Sequence, residues 1–263
     1  MSKLIGILKW IKHFTLKLLD EQLAYFFSRF YSSRQKQNKL FIFGQGRSGS
    51  TLLESLLKST NYFNAYGELL GPCPREVSNP FKYLSGLAKR SQKHFLFHLK
   101  IYHLSRERKN KIDPADFLHQ LHADGWKMIY IKRNNVIEQQ LSNYLAEKRE
   151  NYHKYDDEQE ALSLVIDCEE FVEKVTERLR FLETEQRILS NIPHIEVVYE
   201  RDLLEGGAHQ KTINNILTFL ALPNISVKTT LKKVNRQQMS DLVENYTEFE
   251  SYLKQNRWEN FLR

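Results

Sequence analysis

Between Lys39 and Leu57 the sequence reads KLFIFGQGRSGSTLLESLL, an apolar run that passes through a glycine-rich turn directly into helical periodicity. A strand that ends in a glycine turn at the start of a helix aims backbone N–H groups and the positive helix end at one point, which suits an anion. Two spacings overlap there. Gly44, Gly46 and Gly49 make G-x-G-x-x-G; from the same Gly44 the stretch is also G-x-x-x-x-G-x-[ST], with Ser50 where a nucleotide-binding loop carries lysine. Arg47 stands inside the turn, and Ser48, Ser50 and Thr51 bring hydroxyls to the helix start.

The rest of the chain limits the fold in which this turn can sit. Apolar, β-like runs occur at Leu40–Phe43, Tyr62–Tyr66, Phe95–Tyr102, Lys127–Ile131 and Ile195–Tyr199, with helical patterns between most of them. That alternation predicts an α/β chain, a three-layer α/β/α sandwich with a central parallel sheet. Ligands of such sheets lie at the carboxyl ends of the strands, where the glycine turn and the KRNN segment at 132–135 both fall. From Glu158 to Ser190 a narrow apolar seam (Leu162, Val165, Cys168, Val172, Val175, Leu179, Leu182, Leu189) predicts a long helix lying against the domain. At 263 residues and 41% hydrophobic content, one domain over 39–263 with an N-terminal segment at 1–38 is expected.

Charge separates those two parts. The net charge is +7, and residues 1–39 hold eight Lys/Arg against Asp20 and Glu21, so nearly all of the excess lies in the leader. A nucleic-acid enzyme spreads basic residues over its folded body, so no nucleic-acid partner is expected. In the leader, Leu4, Ile7, Leu8, Ile11, Phe14, Leu18 and Leu19 share a helical face, with Lys9, Lys12, His13, Lys17 and Asp20 opposite. Its lysines interrupt it too often for a span of about 20 apolar residues, and no cleavage site follows. Two fates are open: adsorption of residues 1–31 to an anionic membrane surface, or packing of the apolar face on the protein body. Cys73 and Cys168 form no paired spacing, so neither a disulfide framework nor zinc is expected, and a reducing cytoplasm, peripheral to the inner face of a membrane, is the expected location.

Three chemistries compete for the turn. A dinucleotide site needs an acidic residue after the second strand, and Glu68 is so placed, but it has no use for Arg47 and the hydroxyls. A kinase or ATPase needs the lysine that Ser50 replaces, and a carboxylate for magnesium where KRNN is basic. A third possibility is a nucleotide phosphorylated at both ends, held by the turn and by a second cationic pocket at Lys132/Arg133.

Here the sequence resembles the PAPS-dependent sulfotransferases, in their bacterial and carbohydrate-modifying branches. GQGRSGSTLL is similar to that family's 5′-phosphosulfate loop, and MIYIKRNNVIEQQLSNYLA to its 3′-phosphate strand, loop and helix. YGELL, FHLKIY and VVYERDLLEG…INNILTFLALP resemble further elements in the same order, from Lys39 to about Leu222. The resemblance implies PAPS (3′-phosphoadenosine 5′-phosphosulfate) as donor, no metal, and a hydroxyl acceptor on a saccharide or glycolipid. It carries Gly46, Arg47, Ser48, Gly49, Ser50, Thr51 and Leu52 to the 5′ side of the donor, and Arg133 and Ser142 to the 3′-phosphate. Arg236, in the fainter match KVNRQQMS, becomes a further phosphate contact. The spacing from Arg133 to Ser142 is nine residues where many members have eight, and Asn134-Asn135 replaces the frequent Asp-Pro. Glu68 is the expected general base, His98 the alternative, and Lys100 a contact to the bridging oxygen.

Overall fold

The computed structural model describes residues 2–30, 37–72, 76–152, 163–229, 239–256 and 258. Helix α1 (Ser2–Phe30) leads into β1 (Lys39–Phe43), α2 (Ser50–Ser59), β2 (Phe63–Ala65), α3 (Pro80–Arg90) and β3 (His94–Leu99). Then follow α4 (Ile101–Ser105), α5 (Pro114–Ala123), β4 (Trp126–Lys132), α6 (Val136–Tyr152), α7 (Cys168–Leu189) and β5 (His194–Val198). A π-turn at Tyr199–Leu203 precedes α8 (Gly206–Phe219), and α9 (Met239–Leu242) and α10 (Tyr246–Gln255) follow. All five strands pair in parallel, in the order β2-β3-β1-β4-β5. The expected α/β class is thus observed, with each anticipated run contributing one strand.

Period-two alternation sorts the sheet into two faces. Phe41, Phe43, Phe97, Met128 and Tyr130 face α3 and α5, with the Trp126 ring edge-on to Phe41, Phe95 and Phe97. Leu40, Ile42, Leu96, Ile129 and Val197 face Leu53, Leu56 and Leu57 of α2 and Ile213, Ile216 and Leu217 of α8. Because the chain leaves β1 first toward β3 and later toward β4, the crevice above β1 is the topological switch point.

Two expectations about extent are corrected. The apolar run at Phe95–Tyr102 ends as a strand at Leu99, because the Lys100 N–H turns to His103 Nδ1 (3.3 Å) and starts α4. The long helix begins at Cys168, where the Asp167 side chain accepts from Glu170 N; Val165 precedes it and is exposed, while Leu162 lies outside the described residues. Its Phe171 and Val175 pack in a cluster with Ile137 and Leu141 of α6 and Phe249 of α10, so the seam is used within the chain.

Helix α1 packs on α3. Leu18 is half-buried, Leu19 is exposed, and the other five members of the expected face lie outside the described side chains. Among its described side chains the buried positions are Glu21 and Ala24. A Cβ on Gly86 would stand 1.8 Å from the Ala24 carbonyl oxygen, so the two helices touch backbone to backbone. Small residues at the crossing set the closest approach, and closest approach selects which helical face turns inward.

Candidate anion-binding site

The glycine turn lies between the ends of β1 and α2, and its carbonyls are pinned from below. Gln139 Nε2 and Arg178 Nη1 both donate to Gly46 O (2.8 and 3.3 Å), and the Ser48 hydroxyl donates to Gln45 O (2.7 Å). Arg47 is in the left-handed region (φ 67°) and Gly49 follows it there (φ 95°). No side chain caps α2, so its first-turn N–H groups face the crevice without an internal acceptor. Gly46 N–H is held by the Tyr102 hydroxyl at 3.0 Å. Of the residues expected here, Ser50 and Leu52 are half-buried and Thr51 is exposed; Ser48 is fully buried with its hydroxyl turned inward, so it offers a ligand only its backbone N–H.

A cation approaches from β3. Lys100 Nζ lies 3.4 Å from where a Cβ on Gly46 would stand, so an ammonium reaches the turn although Ser50 replaces the loop lysine. Lys100 also pairs with Glu68 Oε1 at 2.5 Å, and His103 Nε2 stands 3.3 Å from Glu68 Oε2. Since His103 Nδ1 accepts from Lys100 N, its proton sits on Nε2, facing the carboxylate. His103 and Lys100 together hold the Glu68 carboxyl down to about 2 against the opposing effect of its burial.

His98 is placed differently from the expectation. Its ring is buried under α2, 2.9 Å from Glu54 Oε2, because alternation along β3 turns it into the sheet face that α2 covers. The His98 hydrogen bond holds Glu54 below the usual carboxylate range, and the Gly67 N–H adds to it. His98 N in turn donates to Gly67 O at 2.7 Å. This pair therefore fixes the turn that presents Glu68, a positioning role. Glu54 was not legible as such: in sequence it is one more polar residue on a helix.

The second cationic pocket forms at the end of β4. Arg133 is buried, with its guanidinium on Glu138 Oε2, 3.6 Å from Glu200 Oε1 and stacked 4.8 Å from the centre of the Tyr199 ring. Lys132 does not share the pocket; it turns to β5 and pairs with Glu196 at 2.6 Å. The Glu200 carboxylate accepts from Asn134 N and Asn135 N, both at 3.0 Å, which orders the entry to α6 without the Asp-Pro of the resemblance. Ser142, two turns into α6, accepts from Arg47 Nε at 3.1 Å. The turn and the α6 serine are thereby joined.

Tyr199, which the sequence suggests only as a fold-stabilising residue near the end of the sheet, lies between the two pockets. Its ring stands where a Cβ on Gly49 would meet Cδ2 at 2.7 Å, while its face carries Arg133, so one aromatic separates the two cationic pockets. Arg236 lies outside the described residues. Among the described residues no group of His, Cys, Asp and Glu is arranged to hold a metal ion, and no helix is long and apolar enough to cross a membrane.

Beside the turn a cavity of about 470 Å³ opens between α4, α6 and α7. Tyr102, Tyr144 and Phe181 line it with Gln45, Gln140, Asn143, Glu147 and Arg178. Glu68 is not in that lining; it connects to it through Lys100, whose ammonium is 5.6 Å from the Tyr102 ring centre. Arg178, with Nε on Gln140 Oε1 and Nη1 on Gly46 O, forms the wall shared by turn and cavity.

Below the turn, Glu185 is almost fully buried, with Oε2 accepting from the Tyr130 hydroxyl at 3.1 Å. Burial pushes its carboxyl up to about 8, only partly offset by Tyr130 and the Gln45 amide. A raised acid pKa means that the native state keeps a proton which the unfolded chain gives up above its ordinary range. Stability from this group is present at low pH and declines as pH rises from about 4.5 to about 8, by about 1.4 kcal/mol per unit. Glu185→Gln removes that slope: urea unfolding should show the variant gaining on the parent as pH rises from 5.5 to 8, and parallel curves would refute a buried neutral acid.

No protein family's sequence profile matches the chain, and no curated protein matches it. Among solved structures the chain is similar to a sulfotransferase from Alicyclobacillus acidocaldarius, with 12% identity, a TM-score of 0.49, and coverage of 87% of this chain and 96% of that one. It is also similar to the sulfotransferase domain from the curacin biosynthetic pathway, with 15% identity, a TM-score of 0.44, and coverage of 72% and 75%. What the chain itself displays is a glycine turn at an uncapped helix start, joined through Arg47 and Ser142 to a second cationic pocket at Arg133 on one parallel α/β sheet.

Proposed function

We propose that the protein is a sulfotransferase that moves a sulfuryl group from PAPS to a hydroxyl of a saccharide or glycolipid. The observation that carries this reading is the junction of the two pockets: Arg47 of the glycine turn on Ser142 of α6, with the Tyr199 ring between Gly49 and Arg133. A nucleotide with phosphate groups at both ends matches two cationic pockets in one crevice. The uncapped start of α2 fits one phosphate. The Arg133 pocket fits the other once the half-exposed Glu138 is displaced, because a guanidinium pairs with phosphate as readily as with carboxylate.

In the transfer, the bond from sulfur to the phosphate oxygen breaks as a bond to the acceptor oxygen forms, and the acceptor proton passes to a base. Positioning and charge stabilisation supply most of the catalysis in such in-line displacements. Arg47, Lys100 and the α2 amides would stabilise charge growing on the leaving phosphate. Recruiting Lys100 to that oxygen would loosen its hold on Glu68 and raise that carboxylate's basicity when a proton has to be taken. The cavity suits a sugar, since its aromatic rings can meet an apolar ring face while amides and charged groups satisfy the hydroxyl rim.

Calorimetric titration with 3′-phosphoadenosine 5′-phosphate in EDTA tests the reading. Micromolar binding is expected, weakened about 10- to 100-fold in Arg133→Ala, since a hydrogen bond to a charged group is worth about 1.5–3 kcal/mol. Glu138→Gln should tighten binding about fivefold by removing a competitor worth about 1 kcal/mol. Binding of ATP with magnesium in place of the bisphosphate would overturn the reading in favour of a kinase.

A further inference from the structure

Leu16, Leu19, Leu23, Phe26 and Phe30 recur along α1 at intervals of three and four, which brings them onto one stripe. They are 52–65% exposed and make up most of the exposed large hydrophobics among the described residues. The opposite face of α1 is the one engaged by the body. Ala24 meets Gly86, Glu21 accepts from Ser78 N at 2.8 Å, and Lys17 donates to Leu69 O at 3.3 Å. The stripe is thus an apolar surface held outward on a helix that is already fixed to the domain.

We infer that this stripe is a docking surface for an anionic lipid bilayer, on which α1 lies in the plane of the headgroups. The charge around it selects that occupant. Residues 1–39 contain eight basic and two acidic residues. Both acids are engaged inward, Asp20 by Arg90 at 2.9 Å and by the Tyr83 hydroxyl, and Glu21 by Ser78 and Tyr25. Among the described cations Lys17 turns to Leu69 and Lys39 pairs with Asp124, while Arg29 is exposed beside the stripe, over the Phe30 ring at 5.5 Å, so the excess of six positive charges in residues 1–39 is not offset by the segment's own carboxylates. A second copy seated on the same stripe would bring a second excess of positive charge against the first. An anionic headgroup layer reverses the sign of that interaction, and acyl chains accept the leucine and phenylalanine side chains. This inference goes beyond the transfer reaction and does not depend on it.

Co-sedimentation of the full chain with phosphatidylcholine vesicles, with and without phosphatidylserine, tests it. The chain is expected to pellet with the phosphatidylserine vesicles and to be released by high salt, which screens the cationic contribution. Leu23→Glu/Phe26→Glu should reduce vesicle binding more than tenfold. Both residues are exposed, so thermal unfolding and far-ultraviolet circular dichroism should match the parent; Leu23→Ser/Phe26→Ser provides a neutral variant with the same expected direction. Equal pelleting by parent and both variants, or no preference for phosphatidylserine, overturns the proposal. So does a concentration-dependent dimer that the substitutions dissociate while the parent ignores vesicles, since the stripe would then serve a second copy.

Discussion

Glu68→Gln is expected to lower kcat for sulfuryl transfer about 10²- to 10⁴-fold, the usual contribution of a general base, while leaving affinity for 3′-phosphoadenosine 5′-phosphate unchanged. The amide preserves shape but removes the charge that Lys100 meets at 2.5 Å. Because the carboxyl is held down to about 2, Glu68 is ionised throughout the working range. Its titration therefore contributes no acid limb to kcat/KM, which reports the free protein, between pH 4 and 7, and any limb seen there belongs to another group. Lys100→Ala should fall with it, since one residue sets the charge state and position of the other. Kinetics of the purified variants decide the matter: a loss of less than threefold in Glu68→Gln removes the residue from proton transfer.

Gly44→Ala is expected to damage the central sheet severely. The residue leaves β1 with φ at +153°, and a Cβ there would stand 2.0 Å from the Ile131 carbonyl oxygen of β4. No rotamer relieves a clash with backbone, so β1 and β4 must separate at the point where the anion turn begins. A loss of at least about 3 kcal/mol, the upper end of ordinary overpacking, is expected. For a domain of this size that is roughly a 6–12 °C drop in Tm, if the protein remains soluble. Differential scanning calorimetry would show it, and a Tm within 2 °C of the parent would mean that the crossing is looser than described.

The strands were legible because a sheet buried on both faces needs continuous apolar runs, and those five runs are local facts of the sequence. The glycine turn was legible for a similar reason: its backbone constraints select residue types in place. What escaped was set by neighbours far along the chain. Glu54 gains its role from His98, Tyr199 from Gly49 and Arg133, and Arg178 from the carbonyl of Gly46. The expected second pocket named Lys132 beside Arg133, but consecutive residues at a strand end point in opposite directions, and only the sheet shows which one meets Glu196. The contact of Ala24 with Gly86 that seats the described part of α1 was not legible, because a count of leucines does not reveal where two helix backbones touch.

The pairing of the crevice's own charges has a consequence for selectivity. Lys100 rests on Glu68, Arg133 on Glu138 and Glu200, and Arg47 on Ser142. A lone inorganic phosphate or sulfate can meet the uncapped amides of α2, but to gain a paired side-chain cation as well it must break one of these pairs. A ligand with anions at both ends exchanges the pairs together and loses its translational freedom only once. On the proposed function the resting pairs would act as a threshold, favouring a molecule long enough to reach both sides of Tyr199 over small anions.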